Sequence, residues 1–125
     1  SLLYLNLKNN RISSLPDLVS KTTIQTFIVG HNYLRDVQKI LPFLEEVKTL
    51  DLSHNQLREI TDHFFLLKNL QRLNLDSNKL RTVPYFLQEM KGLTHLSLEK
   101  NSFSHEEKTR IEKEFGINLQ SDQSE

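Results

Sequence analysis

The chain has 125 residues, 37% of them hydrophobic and 26% charged, the composition of one ordinary folded domain rather than of a disordered tract. Its 16 basic and 16 acidic residues cancel, so composition supplies no basic footprint for nucleic acid, and no apolar run nears the roughly 18 residues of a membrane helix. Cysteine is absent, which excludes disulfide staples and thiol chemistry. No Asn-x-Ser/Thr acceptor for glycans occurs either.

The chain repeats itself. Apolar residues recur at positions 1, 4, 6 and 11 of a unit, with asparagine at position 9. The five sets are Leu2, Leu5, Leu7, Asn10, Ile12; Ile24, Phe27, Val29, Asn32, Leu34; Val47, Leu50, Leu52, Asn55, Leu57; Leu70, Leu73, Leu75, Asn78, Leu80; and Leu93, Leu96, Leu98, Asn101, Phe103. Their first members are spaced 22, 23, 23 and 23 residues apart. Apolar residues at positions 4 and 6 alternate with polar ones, the signature of a short strand. One such unit cannot bury its own apolar side, so stacked units must share a core. Stacked strands would form a parallel sheet with rows about 4.7–4.9 Å apart. An inward-facing asparagine offers two N–H donors and a carbonyl acceptor to the backbone where it bends away from the strand. Asn10, Asn32, Asn55, Asn78 and Asn101 therefore read as a structural ladder.

This pattern resembles the leucine-rich repeat family over residues 2 to about 103. The resemblance implies an α/β leucine-rich repeat solenoid: a right-handed superhelix with a parallel concave β-sheet, short helical convex turns and a C-terminal capping helix. The expected organisation is five repeats over 1–103, a capping helix and short extended piece over 104–120, and a frayed tail over 121–125. The chain opens at SLLYLNL, inside repeat geometry. A mature secreted chain and a trimmed segment would look alike here. An uncapped first strand would expose an edge that invites pairing with another chain, so a homodimer through the N-terminal edge is an open possibility.

In chain order, the first return carries Leu15-Pro16. The second, 36–46, is broken by Pro42, which predicts short helical turns rather than a regular helix. In the third, 59–69, Ile60, Phe64 and Leu67 have helical spacing, and Phe64-Phe65 are expected to pack the convex side. In the fourth, 82–92, Phe86, Leu87 and Met90 repeat the theme. Then the period breaks. Ser104 followed by Glu107 is a capping-box signature. Ile111 and Phe115 share one helix face, and Glu106–Arg110 and Arg110–Glu114 are predicted ion pairs. Gly116 suits the helix stop. The run Asn101-Ser102-Phe103-Ser104 followed by Glu106-Glu107-Lys108 and Arg110-Ile111 resembles the closing motif of bacterial, leptospiral-type proteins with 23-residue repeats. Ser102 stands where that motif usually has proline. Such proteins are generally exported and bind host or matrix proteins.

Side chains at positions 3, 5 and 7 face away from the leucines. The candidate protein-binding residues of this concave face are Tyr4, Thr26, Ile28, Thr49, Asp51, Arg72, Asn74 and His95, with Tyr33 grouped beside Tyr4 and Ile28 as an aromatic anchor. Arg35, Arg58 and Arg81 share position 12 and should stack, with Asp36 and Glu59 adjacent. The bland reading is a solvated stripe partly neutralised by those acids; the sharper one is a site for an anionic partner. His31 and His54 share position 8 and are weak metal candidates, since zinc needs three or four ligands. No metal site or cofactor is therefore assigned. Asp51, Ser53 and His54 superficially suggest a hydrolase, but no nucleophile elbow or oxyanion motif accompanies them, so no enzyme activity is expected.

The reading is a non-enzymatic protein–protein interaction module that binds a protein on its concave face. The resemblance implies a secreted bacterial protein contacting host proteins. The alternative is a targeting or scaffolding segment of a larger intracellular regulatory protein.

Overall fold

The computed structural model describes residues 3–16 and 20–119. Leu2, the first anchor of the first repeat, and the end of the chain expected to fray lie outside the described residues. Five three-residue strands, β1 (Tyr4–Asn6), β2 (Thr26–Ile28), β3 (Thr49–Asp51), β4 (Arg72–Asn74) and β5 (His95–Ser97), form one parallel sheet in chain order. The register is constant. Leu5, Phe27, Leu50, Leu73 and Leu96 lie side by side, one repeat apart. Beyond the strands, Leu52 N donates to Asn74 O at 2.9 Å, so Leu52 and Leu75 stay in adjacent rows. The apolar alternation leaves one face of the sheet dry and the other free.

The dry face is the core. Phe27, Val29, Leu34, Leu50, Leu52, Leu57, Leu73, Leu75 and Leu80 are all buried. Each such side chain contributes roughly 1.5–3 kcal/mol of burial. The end repeats are less covered: Leu5, Leu7, Ile12, Leu93 and Leu96 are only half-buried.

The returns are short 3-10 turns at Leu41–Phe43, Asp62–Leu66 and Tyr85–Glu89. Pro42 sits in the first turn of the earliest of these, where its missing N–H costs nothing. Ile60, Phe64 and Leu67 are buried as their spacing required. Phe65 differs from expectation. It is 47% exposed and meets only the edge of Phe86, with ring centroids 5.9 Å apart. A 3-10 turn has three residues per turn, so Phe64 and Leu67 share the inner side and Phe65 is turned away.

The last repeat is followed by α1 (His105–Phe115), which adds Ile111 to the same buried core as Leu98 and Phe103. Ser104 Oγ accepts from Glu107 N at 3.1 Å, and Gly116 ends the helix at φ 71°. The predicted Glu106–Arg110 pair is not formed among the described residues. Glu107 takes its place, with Arg110 Nη2 2.6 Å from Glu107 Oε2 and Arg110 Nη1 2.7 Å from Glu114 Oε1. The reason is a competing demand. Glu107 Oε2 also accepts from Val83 N at 2.9 Å and Thr82 Oγ1 at 3.0 Å, and Arg110 donates to Val83 O. The carboxylate is thereby turned toward the fourth return instead of closing the capping box, and the ion pair clips the helix to the solenoid. Arg110 and these hydrogen bonds hold the Glu107 carboxyl below its ordinary pKa. Among the described residues after Gly116, 117–119, no strand forms, but Leu119 is buried and its N–H donates to Glu112 Oε2 at 2.9 Å.

Candidate functional site

The free face of the sheet is shaped by what lies beneath it. Asn32, Asn55, Asn78 and Asn101 are buried and make the same bonds in every row. Asn78 Nδ2, for example, donates to Leu75 O, Asp76 O and, one row back, Leu52 O, while its Oδ1 accepts from Leu57 N. Asn10 is exposed and donates only within its own turn, to Leu7 O and Lys8 O. The residue before each of these asparagines is in the left-handed region: Asn9, His31, His54, Ser77 and Lys100, all with φ between 55° and 63°. Left-handed backbone aims the asparagine inward immediately after a strand that pointed its neighbours the other way. Nothing in the residue types at this position announces it, since glycine is absent from all five.

Above this scaffold, an open groove of about 960 Å³ runs over strands β2 to β5 and round the edge of the sheet to the fourth return and the end of α1. It brings together Ile28, Thr49, Asp51, Arg72, Asn74 and His95, six of the sequence-derived candidates. Leu87, Gln88, Met90 and Lys91 of the fourth return, and Glu114, Phe115 and Ile117 at the end of α1, also line it. Tyr4 and Thr26 lie on the neighbouring strands of the same face, paired in register. Tyr4 is 55% exposed. Tyr33 is placed elsewhere. It follows the sheet, donates its N–H to Ile12 O at 2.8 Å, and stands half-exposed on the lateral side of the solenoid.

Two of the groove residues have internal duties that sequence reasoning missed. Asp51 Oδ1 accepts from Ser53 N at 2.9 Å and Asn74 Oδ1 from Asp76 N at 3.0 Å, as Asn6 does for Lys8 N. These are side chains bonding the backbone two residues on, which ends each strand. In the last row the equivalent residue is Ser97. Asp76 of the previous row reaches across instead, accepting from Ser97 Oγ at 2.6 Å and Glu99 N at 2.8 Å. An Asn or Asp at position 5 with a polar residue two further on was the available signal. Thr49, Arg72, His95 and Ile28 thus form the adaptable part of the groove.

His31 and His54 are stacked, with centroids 3.9 Å apart and planes 13° from parallel. Desolvation, then the His54 and Lys8 charges, lower the His31 pKa against an opposing pull from Asp51. Two parallel rings at that separation do not converge on a metal, and among the described residues no three His, Cys, Asp or Glu side chains form a metal-sized group. Asp51, Ser53 and His54 are not brought into a relay. Ser53 is buried under Gly30, Asp51 is bonded to the Ser53 backbone, and His54 faces His31. No helix among the described residues is long and apolar enough to cross a membrane.

Comparison with known proteins agrees with this architecture. A leucine-rich repeat model matches residues 22–80 and again 45–103, and a second leucine-rich repeat model matches residues 1–21. The chain belongs to the leucine-rich repeat family, whose members are generally protein-interaction scaffolds and typically not enzymes. Among solved structures it is similar to a leucine-rich repeat protein of Leptospira interrogans, with a TM-score of 0.71 and 28% identity over 93% of this chain. The match spans 36% of that protein's chain, so the present sequence covers about a third of its length. The repeats are of the leptospiral type. No curated protein matches the sequence.

Proposed function

We propose that this module binds a protein partner across its concave groove, with Ile28, Thr49, Arg72 and His95 as the contacting side chains and Tyr4 and Thr26 extending the surface. The observation that carries the reading is the groove itself. It is an open, mixed polar and apolar channel over a sheet whose three inner strands are already bonded on both sides. Solenoids present such extended concave surfaces to partners. The groove changes character along its length, from Tyr4 and Ile28 at one end to Arg72 and His95 at the other. That asymmetry favours a partner with an apolar anchor at one end and a carboxylate-bearing one at the other.

The likeness to leptospiral repeat proteins supports the finer reading of an exported protein that contacts a host protein. The test is affinity capture from host extract with the wild-type chain and with an Ile28→Ser/Arg72→Glu variant. A protein retained by the first and lost from the second supports the reading; equal retention refutes it. A second reading, a scaffolding segment of a larger regulatory protein, is favoured by the match to only part of the Leptospira chain. The full reading frame separates the two: an export signal supports the first, a fused effector domain the second. Self-association through the half-exposed Leu3 and Tyr4 end is a further rival. Light scattering that gives a monomer mass across concentrations ends it.

A further inference from the structure

The lateral side of the solenoid, just past the sheet, carries a second regular feature. Arg35, Arg58 and Arg81 occupy the same position in successive repeats, and all three are exposed. The sequence suggested that Asp36 and Glu59 would neutralise them. No direct ion pair or hydrogen bond is formed: none of the three arginines is bonded to Asp36, Glu59 or any other described residue. A hollow of about 220 Å³ lies between the second and third rows, with Arg35 and Arg58 on its walls and Asp36 and Glu59 near enough to offset part of their charge. The fourth row has no acid at the matching place. Thr82 stands there, bonded to a Glu107 already committed to Arg110.

The spacing of this strip is fixed. One and two residues before each arginine, the rows are bonded to one another. Tyr33 N donates to Ile12 O, Gln56 N to Leu34 O, Lys79 N to Leu57 O and Ser102 N to Leu80 O, all at 2.7–2.8 Å. Asn55 Oδ1 and Asn78 Oδ1 hold the adjacent Leu34 and Leu57 N–H groups at 2.9 and 3.0 Å. The arginines therefore project from a backbone ladder with sheet-like spacing, and Arg35 to Arg81 spans about 9.6 Å, two rows of roughly 4.8 Å.

That length lies nearer to one ligand backbone than to another. Same-face side chains at i, i+2 and i+4 of an extended peptide span about 13 Å. Residues i, i+4 and i+7 of an α-helix span about 10.5 Å, within the reach of a flexible arginine. Guanidinium groups pair bidentately with carboxylates, which rewards a matched row of acids over diffuse negative charge. Half-exposed Tyr33, two residues before Arg35, supplies an apolar contact at one end.

We propose that Arg35, Arg58 and Arg81 form a docking strip for an acidic α-helix of a protein partner, its Asp or Glu side chains spaced i, i+4, i+7. The strip lies outside the concave groove and acts independently of it. The test is fluorescence anisotropy with a labelled helical peptide of about 18 residues, long enough to hold helix, bearing glutamates at those spacings. The expected result is salt-sensitive binding to the wild-type chain. Binding weakens at least about threefold in the Arg35→Gln/Arg58→Gln/Arg81→Gln variant, from roughly 1.4- to fivefold per exposed pair. The Ile28→Ser/Arg72→Glu variant binds the peptide as wild type does, so failure of the strip and failure of the groove are told apart. Circular dichroism melting checks that the triple variant remains folded. No binding by the wild-type chain, unchanged binding by the folded triple variant, or equal binding of a peptide with scrambled glutamates overturns the proposal. Arginine-dependent preference for a sulfated oligosaccharide over the peptide also overturns it, assigning the strip to a glycan.

Discussion

Replacing Asn78 by alanine tests the buried ladder in quantitative terms. Asn78 makes four hydrogen bonds: three donated, to Leu52 O, Leu75 O and Asp76 O, and one accepted, from Leu57 N. The carbonyls are not stranded by its loss. Leu52 O keeps Asn55, Leu75 O keeps Asn101, and Asp76 O keeps the His54 N–H. Leu57 N loses its acceptor, and Leu57 is 1% exposed, so no water replaces it. An orphaned buried donor costs about 1–3 kcal/mol, and each lost hydrogen bond about 0.5–1.5 kcal/mol. With partial relaxation, the expected loss is about 2–4 kcal/mol, a large share of a domain's 5–15 kcal/mol. Asn78→Asp should be no better. It retains the acceptor for Leu57 N but replaces the one NH2 group that serves three carbonyls by a carboxylate oxygen facing them. Asn10→Ala, at the exposed end of the ladder, should cost under about 1 kcal/mol. Urea unfolding followed by circular dichroism measures all three. Asn78→Ala within about 0.5 kcal/mol of wild type, or Asn78→Asp matching wild type, would refute the reasoning.

Three further outcomes follow from other contacts. A Cβ on Gly30 would sit 3.0 Å from Ser53 Oγ and 3.1 Å from Ser53 O. Gly30→Ala should therefore cost about 1–3 kcal/mol by overpacking, and thermal melting should show little recovery with Ser53→Ala because the backbone oxygen remains. Glu107→Gln should loosen the capping helix, with a pH signature. The folded pKa of Glu107 is depressed, so its stabilisation is complete above the unfolded value near 4.3 and is lost as pH falls through the folded value. The wild type and Glu107→Gln should differ most at neutral pH and converge in acid; a gap independent of pH contradicts this. The His31 pKa, lowered by desolvation and by the His54 charge, should rise in His54→Gln when followed by NMR titration. Because the native state binds this proton less readily, His31 favours folding above the ordinary histidine range and destabilises as pH drops below about 6.5.

The repeat was legible because it rests on periodicity alone. Apolar residues at four positions and asparagine at a fifth leave one stacking solution, and the observed register of Leu50, Leu73 and Leu96 follows it. Features that depend on competition between partners were less so. The choice of Glu107 over Glu106 by Arg110 is decided by Val83 and Thr82, about 25 residues away in sequence. The exposure of Phe65 depends on the turn being 3-10 rather than α. The left-handed backbone at His31, His54, Ser77 and Lys100 has no glycine to mark it. In the candidate groove, the alternation named six residues that line the same cavity, while the service of Asp51 and Asn74 to their own backbone became visible only as hydrogen bonds. Tyr33 was grouped with that face by residue type, although it lies past the strand where the alternation no longer applies.

The concave groove as the partner-binding surface is tested most directly by site-specific photo-crosslinking. A photoreactive phenylalanine analogue in place of Thr49, on the groove, is compared with the same group in place of exposed Lys68 on the opposite, convex side. With captured partner present, mass spectrometry should find the adduct from position 49 and not from position 68. Adducts from the convex position, with none from the groove, would place the binding surface elsewhere.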